Sequence, residues 1–353
     1  MRRFRRGIII SLLSCVVVFT ACSGNGTKKS TLVVLEADSL MVPFAQIQTA
    51  FEQANPDINV ELEPFGSIQA IRQVTELGQQ ADIVAVADSS LIPMMMYRTK
   101  MSNGEPYANW DIESNTNQLV LAYTSTSKYA DEINSGNWYR IISRPDVALG
   151  FTDPRIDSVG YRMLMGLGLA SAYYNDPTLV QDAVGSHFSM PITADTENGT
   201  TTISVPELLE PTDSHLVLRN VDMELLALLQ SGNIDYTLDY KSVVIQDGLN
   251  YLELPPEINL GDVSDAAGYQ KVTVNMDYQR FASVSPVFEG LPIIYGVTIP
   301  NNAQNTTAAI KFIQFILGAE GQKIFKNCNQ TELIPPMCDN VSALPGALKT
   351  LFP

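Results

Sequence analysis

Histidine is almost absent from this chain. It occurs twice in 353 residues, at His187 and His215, far in sequence from the cysteines, which argues against a zinc site. Basic side chains are also scarce: 22 Lys and Arg stand against 38 Asp and Glu, a net charge of −16. Taking away Arg2, Arg3, Arg5 and Arg6 of the first segment deepens this to −20. That field excludes nucleic acid, which needs a basic face. Any anion would have to be held by local donors, because long-range attraction is absent or adverse. No G-x-S-x-G elbow, no G-x-x-x-x-G-K-[ST] phosphate loop and no H-E-x-x-H helix occurs. Nothing repeats at a fixed period, which speaks against a surface adhesin. Beyond the first segment no apolar run approaches a membrane-spanning length.

That first segment carries its own message. A basic start is followed by an almost wholly apolar stretch from Gly7 to Phe19, about 13 residues where a span needs roughly 20. Small residues Thr20 and Ala21 complete an export signal over residues 1–21. Thr20-Ala21-Cys22 resembles a bacterial lipobox, which implies that Cys22 is acylated and becomes the mature N-terminus. The alternative is an ordinary cleaved signal with an incidental cysteine. In the lipobox reading residues 22–30 are a lipidated tether. Each acyl CH₂ buried in the bilayer contributes about 0.8 kcal/mol, so the chain is held to the cell membrane, in a periplasm or on the outer cell surface. Cys15 leaves with the signal. Cys328 and Cys338 remain, ten positions apart, and an oxidising compartment favours a disulfide over free thiols.

The rest of the chain alternates strands and helices, which predicts an α/β fold with largely parallel sheets. Thr31–Ala37 reads as a strand, and Phe44, Ile47 and Phe51 mark the helix after it. Ile58–Phe65 is a second strand, with Ile68, Ile71, Val74 and Leu77 as the following helical stripe. Asp82–Ala87, Val147–Thr152 and Ile234–Tyr240 are further strands, the helix after Val147–Thr152 opening at Gly160-Tyr161-Arg162 and the last leading to a helix from Val243. Glu224–Gln230 is helical, as are Thr306–Leu317 and Glu320–Phe325.

Serine recurs where a strand hands the chain to a helix: Ser39, Ser67, Ser158 and Ser242. One such serine is an ordinary helix cap. Four of them suggest an anion cage. The first helical N–H groups have no backbone partner, the helix dipole adds partial positive charge, and a hydroxyl adds a donor. In open α/β sheets these loops gather at the carboxyl edge of the strands, and two such edges facing each other would enclose one site.

Longer stretches resemble a family. Ala37-Asp38-Ser39-Leu40-Met41-Val42-Pro43-Phe44, Glu63-Pro64-Phe65-Gly66-Ser67, Ala81–Asp88, Gly160-Tyr161-Arg162, Asp239-Tyr240-Lys241-Ser242-Val243 and Tyr295–Pro300 are similar to the molybdate/tungstate-binding proteins of ABC importers, particularly the tungstate-binding, archaeal-type branch. The resemblance implies a two-lobe type II periplasmic-binding fold with a ligand cleft between lobes. Lobe one would be 31–118 and 299–353, lobe two 119–298, with crossings at Asn115–Leu119 and Tyr295–Pro300. It implies a monomer that passes molybdate or tungstate to a membrane permease and needs no cofactor. The oxyanion donors carried over are Ser39, Ser67 and Tyr240, with the backbone around Ser158 and Val159. Asp157 and Asp239 would approach the metal itself. Asp239 stands where the family has glutamate, and Asp38 where it has glycine. An ionised aspartate beside an oxyanion is repulsive unless it is protonated or bonds the Lewis-acidic Mo(VI) or W(VI). Arg72 and Arg162 are either counter-charges for the anion or partners of nearby carboxylates. The competing readings are sulfate, phosphate or ferric ion on the same fold, the last through Tyr236 and Tyr240, and a glycosidase using Asp157 and Asp239 as acid and base.

Overall fold

The structure, a computed structural model, describes residues 29–277 and 287–352. The export signal, Cys22 and all but the end of the tether lie outside the described residues. The strands in chain order are β1 (Ser30–Ala37), β2 (Ile58–Phe65), β3 (Ile83–Val86), β4 (Ile112–Thr116) and β5 (Leu119–Tyr123). Then come β6 (Leu149–Thr152), β7 (Thr193–Glu197), β8 (Thr200–Val205), β9 (Leu216–Arg219) and β10 (Tyr236–Tyr240). β11 (Asn250–Glu253), β12 (Val272–Met276), β13 (Val287–Glu289), β14 (Ile294–Thr298) and β15 (Thr331–Cys338) complete the set.

These make a six-stranded sheet in the order β15-β4-β14-β3-β1-β2 and a five-stranded sheet in the order β11-β5-β10-β6-β9. A smaller sheet, β13-β12-β8-β7, completes the second half. β1 lies parallel between β2 and β3, as strand–helix–strand units require. On the first sheet, Phe44, Ile47 and Phe51 bury one face of helix Met41–Ala54. Phe51 meets Phe312 at 5.1 Å between ring centroids and Phe44 meets Phe325 at 6.2 Å, so the two C-terminal helices pack on this lobe.

The chain leaves the first sheet after Thr116 and joins the second at Leu119. The return differs from the expected crossing at Tyr295–Pro300. β14 is a central strand of the first sheet, antiparallel to both β3 and β4, so the lobe boundary falls before Ile294 rather than after residue 298. Ile294–Thr298 is buried throughout and its backbone groups are taken up by two neighbours, whereas a crossing segment would leave them to water. Helix Ser158–Tyr173 opens earlier than Gly160, because Asp157 already provides the extended cap conformation. Asn198 and Gly199, at φ 52 and 81, form the two-residue hairpin turn between β7 and β8.

Cys328 and Cys338 are separate thiols, contrary to the expected disulfide. Thr331 pairs with Thr116 and Cys338 with Ile112, so β15 carries Cys338 about 13 Å along the sheet from Thr331. A disulfide needs its two Cα atoms within about 7 Å.

Candidate ligand site

The site forms where strand-to-helix junctions of the two large sheets meet. β1 delivers Asp38 and Ser39 into a short 3-10 turn ahead of helix Met41–Ala54. β2 delivers Gly66 as the cap of helix Ser67–Thr75. From the second sheet, β6 leads through a loop to Asp157, the extended cap of helix Ser158–Tyr173. β10 ends in Asp239 and Tyr240, the latter capping helix Lys241–Gln246. All seven residues expected to contact the ligand are buried: Ser39, Ser67, Asp157, Ser158, Val159, Asp239 and Tyr240.

Their hydroxyls form two connected runs. Ser158 Oγ lies 3.3 Å from Ser67 Oγ and 3.0 Å from Tyr240 Oη, joining both sheets. Ser67 Oγ also accepts the N–H of Ala87 at 3.1 Å. In the second run Tyr295 Oη donates to Ser39 Oγ at 3.1 Å and accepts from Asn117 Nδ2 at 3.0 Å. Asn117 Nδ2 also donates to Ser242 Oγ at 2.7 Å, so the fourth serine of the repeat serves the crossing between sheets.

Against these hydroxyls stand four carboxyl groups: Asp38, Asp157, Asp222 and Asp239. One oxygen from each of Asp38, Asp157 and Asp222 lies within 4.8 Å of the other two. Asp239 is the fourth, close enough to Asp222 for the charge of one to raise the other. Each of Asp38, Asp157 and Asp239 faces a helix start: Ser39 N donates to Asp38 at 2.9 Å, Tyr240 N to Asp239 at 2.5 Å, and the amides of Ser158, Ser67 and Val159 point to Asp157. Asp38 Oδ2, Asp157 Oδ2, Asp239 Oδ2 and both oxygens of Asp222 have no hydrogen-bond partner of good geometry. No ion pair reaches any of the four among the described residues.

Burial is the main force on these acids. It pushes Asp157 up to about 7, with the charge of Asp222 adding and the three amides opposing. Asp38 and Asp239 are driven well above the carboxylate range by burial first and by their acidic neighbours next. Asp222 is raised by burial too. Four such groups in contact cannot all be charged unless a positive centre sits among them.

The arginines lie elsewhere. Arg72 pairs with Glu76 at 2.9 Å on its own helix. Arg162 is fully buried but reaches Asp88 at 2.8 Å and the carbonyl of Leu291 at 2.5 Å. Tyr161 Oη donates to the same Asp88 oxygen at 2.7 Å. Tyr236 does not join Tyr240: its hydroxyl bonds the carbonyl of Lys128, and four residue steps along β10 separate the two by about 13 Å.

Three residues of the cluster escaped the sequence reading. Asp222 opens helix Asp222–Gln230 just after β9, but the pattern placed that helix two residues later, at Glu224. The rule that found the serines, a polar residue between strand and helix, would have found it. Tyr295 lay in the presumed crossing, and Asn117 gives no signal of its own.

A family model described as a bacterial extracellular solute-binding protein matches residues 32–327. A molybdate/tungstate-binding protein, WtpA, of Pyrococcus abyssi is 37% identical over 348 residues, covering 94% of this chain and 95% of that one. Its counterpart in Thermococcus kodakarensis is 36% identical over 349 residues, covering 94% and 92%. The chain belongs to the solute-binding family. The periplasmic molybdate-binding protein of Azotobacter vinelandii superposes with a TM-score of 0.54 at 14% identity, covering 85% of this chain and 98% of that one. The sulfate-binding protein SubI of Mycobacterium tuberculosis gives 0.53 at 13%, covering 92% of each. This solute-binding protein therefore has the type II periplasmic-binding fold. The family is the extracytoplasmic, non-catalytic component of an importer.

Proposed function

We propose that the protein captures molybdate or tungstate between its two large sheets and delivers it to the permease of an ABC transporter. The observation that carries this reading is a buried cage in which hydroxyls and helix amides stand among carboxyl groups, each with at least one oxygen that has no hydrogen-bond partner. To a sulfate or phosphate there, any of these groups that is ionised has nothing to bond, and repulsion at such range costs several kcal/mol. A d⁰ metal centre accepts their oxygens. The hydroxyls of Ser39, Ser67, Ser158 and Tyr240 and the amides near Val159 would hold the oxo groups, while Asp157 and Asp239 would add to the metal. Relatives named as molybdate/tungstate-binding proteins, at 36–37% identity over most of the chain, support the same assignment. The protein acts as a monomer tethered through lipid on Cys22, without a cofactor. No step in this task is catalytic.

The test is thermal unfolding of the stripped, mature protein with molybdate, tungstate, sulfate, phosphate or ferric citrate. A ligand at about 100 times its dissociation constant stabilises by about 2.7 kcal/mol. Stabilisation by molybdate and tungstate alone is expected. Stabilisation only by sulfate, phosphate or iron would keep the fold and overturn the ligand.

A further inference from the structure

The carboxyl cluster contains one member that the ligand assignment does not use. Asp222 is fully buried, and both of its oxygens lack a donor. It comes from neither loop that supplies Asp157 and Asp239. It opens helix Asp222–Gln230 and so enters the cage from a third side. One of its oxygens lies within 4.8 Å of oxygens of Asp38 and Asp157. Oxygens bound to one metal at about 2.0–2.6 Å stand no more than roughly 5 Å apart, so these three carboxyls can reach a common centre.

Resting on the molybdate/tungstate reading, we propose that Asp222 is a direct oxygen ligand of the bound metal centre, a carboxylate beside Asp157. Two features argue for coordination rather than mere proximity. Asp239 is one methylene shorter than the glutamate its position resembles, and Asp222, fully buried with both oxygens partnerless, is placed to supply the reach that Asp239 lacks. An ionised carboxylate this close to a dianion, with no cation among its neighbours, has only the metal as a favourable partner. Asp38, from the first sheet, brings an oxygen within 4.8 Å of oxygens of Asp157 and Asp222 from across the cleft. The step is a Lewis acid–base addition. A carboxylate lone pair forms a bond to Mo(VI) or W(VI), no bond to the metal breaks, and the oxidation state is unchanged. A proton carried by the carboxyl passes to an oxo oxygen of the guest.

The sign of one substitution decides the matter. Asp222→Asn keeps the shape and removes the charge. If Asp222 binds the metal, tungstate affinity measured by calorimetry falls by about tenfold or more. X-ray absorption at the tungsten edge then shows fewer oxygen neighbours than in the wild-type complex. If Asp222 only repels the oxyanion, affinity rises, and an unchanged or raised affinity overturns the proposal. Asp222→Ser, which keeps a helix-capping hydroxyl, gives the same reading should the asparagine variant fold poorly. A wild-type protein that binds neither tungstate nor molybdate would overturn the ligand assignment and this proposal together. Wild-type binding with an unaffected variant would overturn this proposal alone.

Discussion

Asp157 concentrates the chemistry of the cleft in one side chain, since it caps a helix, meets three amides and faces the other acids. Replacing it with Asn should weaken tungstate binding by about tenfold or more in calorimetry. The same change should raise the melting temperature of the ligand-free protein, because a buried acid among acids is removed. Glu36, on β1, is a second buried acid with a different lesson. Burial alone pushes it up to about 8, and its Oε2 has no partner. Its folded-state value is above its unfolded one, so between about pH 4.5 and 8 the native protein holds the proton that the unfolded chain has lost. Stability contributed by protonated Glu36 is therefore lost as pH rises through that window, by up to about 1.4 kcal/mol per pH unit. Glu36→Gln should flatten that decline in urea unfolding at pH 5, 6.5 and 8.

Among the elements, the junction from β2 into helix Ser67–Thr75 makes a tight contact across the cleft. A Cβ on Gly66 would lie 2.7 Å from the carbonyl oxygen of Ile156 and 2.9 Å from Cβ of Asp157, both on the opposite side. Gly66 has φ −60 and ψ 145, which alanine adopts without strain, so only the closed contact is at stake. Gly66→Ala should therefore leave the ligand-free melting temperature nearly unchanged while weakening tungstate binding. It should also increase the radius of gyration of the loaded protein in solution scattering. The junctions were legible because apolar periodicity switches there from two to three or four, and because serine repeats at the switch. Asp222 was missed because Val221 and Met223 blur the start of their helix, although it stands at a strand-to-helix switch as the serines do. β14 was read as a crossing because a buried central strand and an apolar linker share the same composition. The cysteines were read as a pair on compartment and spacing, neither of which knows that a strand runs between them.

Across the whole molecule, Asp88 and Arg162 tie the two halves together. Asp88 follows β3 of the first sheet and Arg162 lies on a helix of the second half, and the pair is buried at 2.8 Å. Removing one partner of such a pair costs about 3–5 kcal/mol, since a buried charge is left alone. Arg162→Met should lower the melting temperature and shift the ligand-free protein toward an open shape by scattering. Combining Arg162→Met with Asp88→Leu, which leaves no lone charge, should recover much of the stability without restoring the closed preference. The place of β14 has a consequence for manufacture. β4 acquires its central neighbour only when residues 294–298 are available, because β14 inserts between β3 and β4. The first sheet is thus incomplete through most of synthesis, and its closing contacts join parts of the chain far apart in sequence, which slows folding. For a protein of an extracytoplasmic family, late completion delays the finished fold until nearly all of the chain has been made.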